Sequence, residues 1–186
     1  MTESATEVRS LPLGAFMAGA AVSVSLGVYG NVHDPSEVGP FQLFFSGYTE
    51  LKVWFTTVAV MLAIVQLTTA LRMYGRISFP AEKPSWFGDL HRLSGTWAFI
   101  FTLPVAYTCL WTFGFNGGAG DARTLMHSIF GCLFYGALVA KIFVLRKNPG
   151  PAWVLPVLGG TVFTLLIGLF GTGAVWYWSD SGFPSF

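Results

Sequence analysis

Five long apolar segments, separated by short polar ones, dominate the pattern of hydrophobic and polar positions along the 186-residue chain. Each segment is near or above the roughly 20 residues that an α-helix needs to cross a bilayer. The pattern therefore predicts an all-α fold, a single transmembrane domain over residues 1–186 that is an integral membrane bundle of five transmembrane helices. The predicted helices cover residues 11–30, 51–74, 90–114, 122–146 and 153–178.

The composition also indicates that the chain lies in a lipid bilayer. Hydrophobic residues make up 53% of it and charged residues only 10%, with a mean hydropathy of +0.61. In a soluble domain about a quarter of the residues are charged. The net charge of +1 gives no basis for binding nucleic acid. We expect a multi-pass protein of the bacterial inner (plasma) membrane, without a nucleic-acid partner.

The lysines and arginines between the predicted helices indicate the orientation of the bundle. Two of them, Lys52 and Arg123, fall on one side of the membrane, and seven fall on the other. Because such cations collect on the cytoplasmic side, the N-terminus is predicted to be cytoplasmic and the C-terminus external. The seven are Arg9, Arg72, Arg76, Lys83, Arg92, Arg146 and Lys147.

Small residues and a short turn predict how the helices pack. Small residues recur on helix 1 around Gly19 and on helix 5 around Gly168, and such faces let helices approach closely. The glycine-rich turn at 115–120 is short, so helices 3 and 4 are expected to be antiparallel neighbours. Asp121 is expected to cap the start of helix 4.

Few ionisable side chains fall inside the predicted helices, where they are costly and often functional. The candidates are His91, His127 and Lys141, with His33 just outside helix 1. Each also has a purely structural explanation. His91 could be an interfacial histidine at the start of a helix, and His127 could form a hydrogen bond within the bundle. Lys141 could extend its side chain to the cytoplasmic surface.

The two helical histidines share a local pattern. His91 lies four residues before Gly95, and His127 four residues before Gly131. On a helix, each imidazole therefore shares a face with a side-chain-free patch one turn away, which leaves room for a flat cofactor. Imidazole ligates haem iron, so His91 and His127 are candidate metal ligands for haem b. Three arginines near the predicted cytoplasmic side are candidates to pair with its propionates: Arg72, Arg76 and Arg92.

Helix geometry excludes a single iron shared by these two histidines. His91 lies about 35 Å below the end of helix 3, and His127 about 9 Å below the start of helix 4. Their depths differ by roughly 25 Å, whereas two nitrogens on one iron lie about 4 Å apart. His127 would need a partner such as His33, and His91 a partner such as Lys141 or Met73. A five-coordinate site, or a hydrogen bond to a quinone head group, also fits either histidine.

Other chemistries find no support in the sequence. It contains no Cys-x-x-Cys, His-Glu-x-x-His, Walker-type or Gly-x-Ser-x-Gly motif. Asp and Glu are almost absent from the predicted helices, which argues against a transporter built on paired carboxylates. No catalytic residue is predicted, and no disulfide is expected between Cys109 and Cys132, because they lie at different depths.

Four segments carry a resemblance to a known group of proteins. They are LHRLSG at 90–95, PVAYTCLW at 104–111, HSIFGCLFYG at 127–136 and LPVLGG at 155–160. With them the chain resembles a family of small, uncharacterised five-helix actinobacterial membrane proteins, which is distantly similar to cytochrome b561-like haem proteins. The resemblance implies a histidine at the place of Thr108, level with His127, and this sequence departs from that pattern.

These observations lead to two expectations for function. The first is a membrane-embedded, b-type-cytochrome-like electron-transfer subunit of a respiratory chain, linked to the quinone pool. It would be at most the membrane subunit of an oxidoreductase, because no soluble redox domain accompanies the helices. The second is a non-enzymatic accessory subunit that packs against other subunits of a respiratory or photosynthetic membrane complex through the small-residue faces of helices 1 and 5.

Overall fold

The computed structural model describes residues 10–36, 38–39, 41–82, 84–115, 121–147 and 150–183. Within these ranges every regular element is helical. A π turn at Cys109–Phe113 continues α3, and another at Gly171–Val175 joins α5 to α6. The α-helices are α1 (Leu13–Val32), α2 (Tyr48–Met73), α3 (Phe87–Thr108), α4 (Ala122–Arg146), α5 (Val154–Phe170) and α6 (Trp176–Ser181).

The prediction of an all-α fold with five helices of spanning length is confirmed for the described residues. Five continuous helical spans are long and apolar enough to cross a membrane. The third span runs over Phe87–Phe113 and the fifth over Val154–Ser181, so each extends about one turn beyond its predicted range. The apolar runs do not reveal these boundaries, because the first turn of α3 is polar and a π turn interrupts the end of the fifth span.

Asp121 begins α4 in the way that the sequence predicts. Its carboxylate accepts hydrogen bonds from the N–H groups of Arg123 at 3.1 Å and Thr124 at 3.3 Å. A hydrogen bond from the Thr124 hydroxyl and one from the Arg123 N–H hold the pKa of the Asp121 carboxyl below its usual range. This capping contribution is therefore present at neutral pH and is lost as the pH falls through the lowered pKa.

The helices close a ring in the order α1, α4, α5, α2, α3. The most extensive packing joins α2 to α3, α1 to α4, and α4 to α5, while α5 also touches α2 and α1 meets the first π turn. In the described residues α3 and α4 are not a closely packed pair, unlike the neighbours that the short turn predicts. The Tyr135 hydroxyl crosses between them and donates to the carbonyl oxygen of Thr102 at 2.8 Å.

Small residues bring α1 and α4 together. A Cβ added at Gly19 would lie 2.5 Å from the carbonyl oxygen of Gly136 and 3.0 Å from Cβ of Ala140. The Ser23 hydroxyl donates to the carbonyl oxygen of Cys132 at 3.0 Å. This face of α1 is therefore buried inside the bundle and is not free for another subunit.

Candidate functional site

A cavity of about 480 Å³ lies inside the ring of helices. Its volume falls within the ~300–1,000 Å³ that is usual for sites of small molecules and cofactors. Apolar side chains cover most of its wall, and all five spans contribute to it. Examples are Leu26 of α1, Val53 of α2, Val105 of α3, Phe134 of α4 and Leu166 of α5.

Both π turns border this cavity. Cys109 and Phe113 line it from the first π turn, and Thr172, Gly173 and Ala174 line it from the second. A π turn closes its hydrogen bonds five residues apart instead of four, and such turns are frequent at functional sites. Their coincidence at one cavity marks this part of the bundle as the candidate site.

His127 lies on the cavity wall with one ring nitrogen bound to the second π turn. Its Nδ1 is 2.9 Å from Thr172 Oγ1, and that hydroxyl donates to the carbonyl oxygen of Gly168 at 2.7 Å. Because a hydroxyl has only one proton to donate, Thr172 accepts the Nδ1–H of His127. This tautomer leaves a lone pair on Nε2, which has no hydrogen-bond partner in the described part of the chain.

Two glycines lie beside His127. A Cβ at Gly173 would lie 3.0 Å from Cε1 of the His127 ring, so a side chain there would have to displace the ring by a few tenths of an ångström. Gly131, one turn along α4, also lines the cavity, and a Cβ there would meet only Leu169 Cδ2, at 3.8 Å. The face that His127 and Gly131 share by helical spacing therefore forms part of the cavity wall.

The cavity has a cationic end, at the first turns of α2 and α4. Lys52 and Arg123 both line it. The guanidinium of Arg123 donates to the carbonyl oxygen of Thr172 at 2.8 Å and lies 3.7 Å from the ring centroid of Trp176. Nζ of Lys52 lies 4.0 Å from the ring centroid of Phe113. Both cations lie against aromatic rings beside the cavity, and Arg123 also forms an ion pair with the Asp121 carboxylate at 3.3 Å. Lys52 and Arg123 are the charged residues of the described cavity wall, so this end is the more positive one.

His91 lies outside this cavity and contacts α2. Its Nδ1 is 2.9 Å from Thr69 Oγ1 and 3.1 Å from the carbonyl oxygen of Gln66. The Gln66 side chain also fills the space above Gly95, so that a Cβ there would overlap its amide. The open patch expected at Gly95 is therefore absent, because α2 packs directly against this face of α3.

His33 does not approach His127, its proposed partner. Its ring stacks on Tyr29 with centroids 5.1 Å apart and packs on Trp111 at 4.7 Å, and its Nε2 is 3.3 Å from the carbonyl oxygen of Trp111. His33 is not part of the cavity wall. It joins the end of α1 to the first π turn, which is a structural role.

The other predicted site residues also lie away from the cavity. Arg72 donates to the carbonyl oxygens of Pro80 at 2.9 Å and Ala81 at 3.0 Å, and it thereby holds the loop that follows α2. Arg92 forms an exposed ion pair with Asp89. Lys141 lies within electrostatic range of His91. None of these three cations lines the cavity wall.

No second histidine lines the cavity in the described part of the chain. Thr108, where the resemblance implies a histidine, is fully buried and donates to the carbonyl oxygen of Pro104 at 2.9 Å. Among the described residues no group of three or more His, Cys, Asp or Glu side chains is placed to hold a metal ion.

The sequence was compared with known families and proteins. A model described as "Family of unknown function (DUF6529)" matches residues 12–185. The search of curated proteins found no significant match, and the search of solved structures found none either.

Proposed function

The chain belongs to the family of unknown function (DUF6529), and we propose that it is a membrane-embedded electron-transfer subunit of b-cytochrome type, linked to the quinone pool. The site is the cavity at His127, and the cofactor is one haem b. The observation that carries the proposal is the lone pair on Nε2 of His127, left without a partner by the hydrogen bond from Nδ1 to Thr172. Histidine ligands of metals usually donate their second ring N–H in this way.

The proposed setting is a cell membrane crossed by all five spans. Their length and apolar surfaces support insertion. The distribution of lysine and arginine supports a cytoplasmic N-terminus and an external C-terminus. In this orientation the cationic end of the cavity, with Lys52 and Arg123, lies near the external surface.

The residues of the cavity fit a haem in three respects. His127 would supply a ring nitrogen to the iron, the open wall at Gly131 would leave room for a flat ring, and Lys52 and Arg123, in place of the cytoplasmic arginines, would be partners for the propionates. When bound, the haem would accept and release single electrons. The chain holds the His127 ring in place, supplies cations at one end of the cavity and surrounds the rest of the cavity with apolar side chains. The described residues offer no second histidine, so the proposed site has one protein histidine ligand.

An absorption spectrum tests this proposal. The protein purified in mild detergent is expected to show a Soret band, and an α band in the reduced-minus-oxidised difference, with one haem per chain. A sample that is folded by circular dichroism but shows no such band after expression with ample haem would refute it.

Thr172→Val tests the hydrogen bond that orients His127. Valine keeps the shape of threonine but cannot accept the Nδ1–H, so we expect haem affinity to fall by about 10- to 100-fold. The measurement is a haem titration followed at the Soret band. Thr56→Val is the matched control, because Thr56 also lines the cavity but donates to the carbonyl oxygen of Lys52 in its own helix. Equal losses in the two variants would contradict the role given to Thr172.

The accessory-subunit function remains a second candidate because one small-residue face is uncovered. A Cβ at Gly159 or Gly160 of α5 would have no heavy atom within 4 Å, and Thr164 nearby is exposed. Such a surface suits close packing against a helix of another subunit. Enrichment of a defined partner in mild detergent, lost with Gly160→Leu, would support this function. A stable monomer without any enriched partner would refute it.

A further inference from the structure

The cavity at His127 runs from its cationic end to the middle of the bundle. Its floor is the contact at which Tyr135 donates to the carbonyl oxygen of Thr102 at 2.8 Å. The wall near the floor is closed, because Phe134 is only 3% exposed and Leu166 only 4%. At the cationic end the lining residue Ser181 is exposed, and it is the last residue of the fifth span. In the described part of the chain the cavity therefore has its mouth at the cationic end.

The short helix α6 borders this mouth. Trp176, Tyr177 and Ser181 all belong to α6 and line the cavity. Its backbone packs mainly on the second π turn, from which it continues. Its other described contacts are made by side chains. A segment with few backbone contacts can open locally while the rest of the bundle stays folded.

The second π turn is suited to act as a hinge for α6. It contains Gly171 and Gly173, and glycine reaches backbone conformations that other residues do not. A Cβ at Gly171 would have no neighbouring heavy atom within 4 Å, so no other element clamps the turn there. Hinges are commonly a few residues at the end of a helix, as these are.

Two side-chain contacts fasten α6 across the mouth. The Tyr177 hydroxyl donates to the carboxylate of Glu50, in the first turn of α2, at 2.8 Å. The guanidinium of Arg123, in the first turn of α4, lies 3.7 Å from the ring centroid of Trp176. A hydrogen bond to an ionised acceptor is stronger than one between neutral groups. The contact between Tyr177 and Glu50 therefore joins the two sides of the mouth.

We propose that α6 is a lid, which opens on the second π turn and admits the ligand of the cavity through the cationic end. The hydrogen bond from Tyr177 to Glu50 is its latch. The inference rests on the proposed function only for the identity of that ligand, haem b. Because Thr172 belongs to the same π turn, opening the lid also moves the hydroxyl that orients His127. Entry of the ligand and the orientation of His127 are thereby coupled.

The two cysteines of the chain report opening of the lid without haem, because Cys109 and Cys132 both line the cavity. The full chain, expressed under haem limitation and purified in mild detergent, is treated with 2-sulfonatoethyl methanethiosulfonate. This water-soluble reagent forms a mixed disulfide with a thiol and releases methanesulfinate, and mass spectrometry follows the rate. Tyr177→Phe removes the latch and is expected to raise the rate by about fivefold. The matched control is Tyr74→Phe, at the other end of α2 and outside the cavity wall, which is expected to leave the rate unchanged.

Further variants test the latch and the mouth separately. Glu50→Ala is expected to raise the rate as Tyr177→Phe does, and the double variant no further, because both substitutions remove the same hydrogen bond. Ser181→Trp, which narrows the mouth, is expected to slow the reaction. Its matched control is Ser179→Trp, which is also exposed on α6 but lies outside the cavity wall, and which is expected to have no effect.

An unchanged rate in Tyr177→Phe would overturn the lid, as would effects of the two latch substitutions that add in the double variant. Cysteines that do not react in any variant, or that react equally fast in Ser181→Trp, would overturn the route through the mouth. If the latch variants react as expected, but the protein expressed with ample haem shows no Soret band, the haem proposal alone fails.

Discussion

Replacing His127 by alanine is expected to abolish the Soret band, whereas His91→Ala is expected to leave the band and the haem content unchanged. Within the described ranges, only His127 offers a ring nitrogen without a hydrogen-bond partner at the wall of a cavity. His91 is held against α2 by Thr69 and the carbonyl oxygen of Gln66, outside that cavity. In the proposed site this substitution would remove the histidine nitrogen that would hold the iron. The measurement is the absorption spectrum of each purified variant, with haem quantified per chain.

His91→Ala serves here as the matched control, because it removes the same side chain from the other helical histidine. A further control separates loss of the ligand from loss of the fold. Imidazole added to His127→Gly is expected to restore a Soret band, since the small ligand occupies the vacated space. An unchanged spectrum in His127→Ala would contradict the assignment, and so would loss of the band in His91→Ala alone.

Gly19→Leu is expected to separate α1 from α4 and to lower the free energy of unfolding by about 3 kcal/mol, the upper range for overpacking of a tight interface. Even a single methyl group at Gly19 would lie 2.5 Å from the carbonyl oxygen of Gly136. That neighbour is backbone and cannot rotate away, so the helices must move apart. The Ser23 hydrogen bond to Cys132 is expected to break with them. The midpoint of unfolding by dodecyl sulfate in mixed micelles measures the effect.

Gly14→Leu is the matched control for this substitution. Gly14 lies on the same helix, and a Cβ there would have no heavy atom within 4 Å. The unfolding midpoint of Gly14→Leu is therefore expected to stay close to that of the native protein. Equal destabilisation by the two substitutions would show that the leucines act through the bilayer-facing surface and not through the contact with α4.

The elements of the fold follow from local sequence, but their pairing does not. Apolar runs and the Asp121 cap locate the five spans, because helix length and helix ends depend on nearby residues. The separation of α3 from α4 depends instead on residues that are distant in the sequence. The short turn at 115–120, which lies partly outside the described residues, limits how far apart the helix ends can be, but not whether the helices touch below them.

The candidate site shows the same division between local and distant information. The four-residue spacing places His127 and Gly131 on one face, and both line the cavity. The equal spacing of His91 and Gly95 misleads, because a glutamine from α2 fills the space at Gly95. Lys52 and Arg123 carry a usable signal. They are the two cations assigned to the external side, each in the first turns of a helix, and they meet at one end of the cavity.

The second π turn makes the last span sensitive to its length. Gly171–Val175 accommodates one residue more than an ordinary helical turn, and this shifts the register of α6 relative to α5. Deleting one residue there would let the helix close as a regular α-helix, and the residues after it would keep nearly the same orientation because the π turn already absorbs the extra residue. Tyr177, whose hydroxyl donates to the Glu50 carboxylate at 2.8 Å, would then still face α2. Inserting a further residue would instead rotate the last helix by about 100° and change which side chains it presents to the cavity.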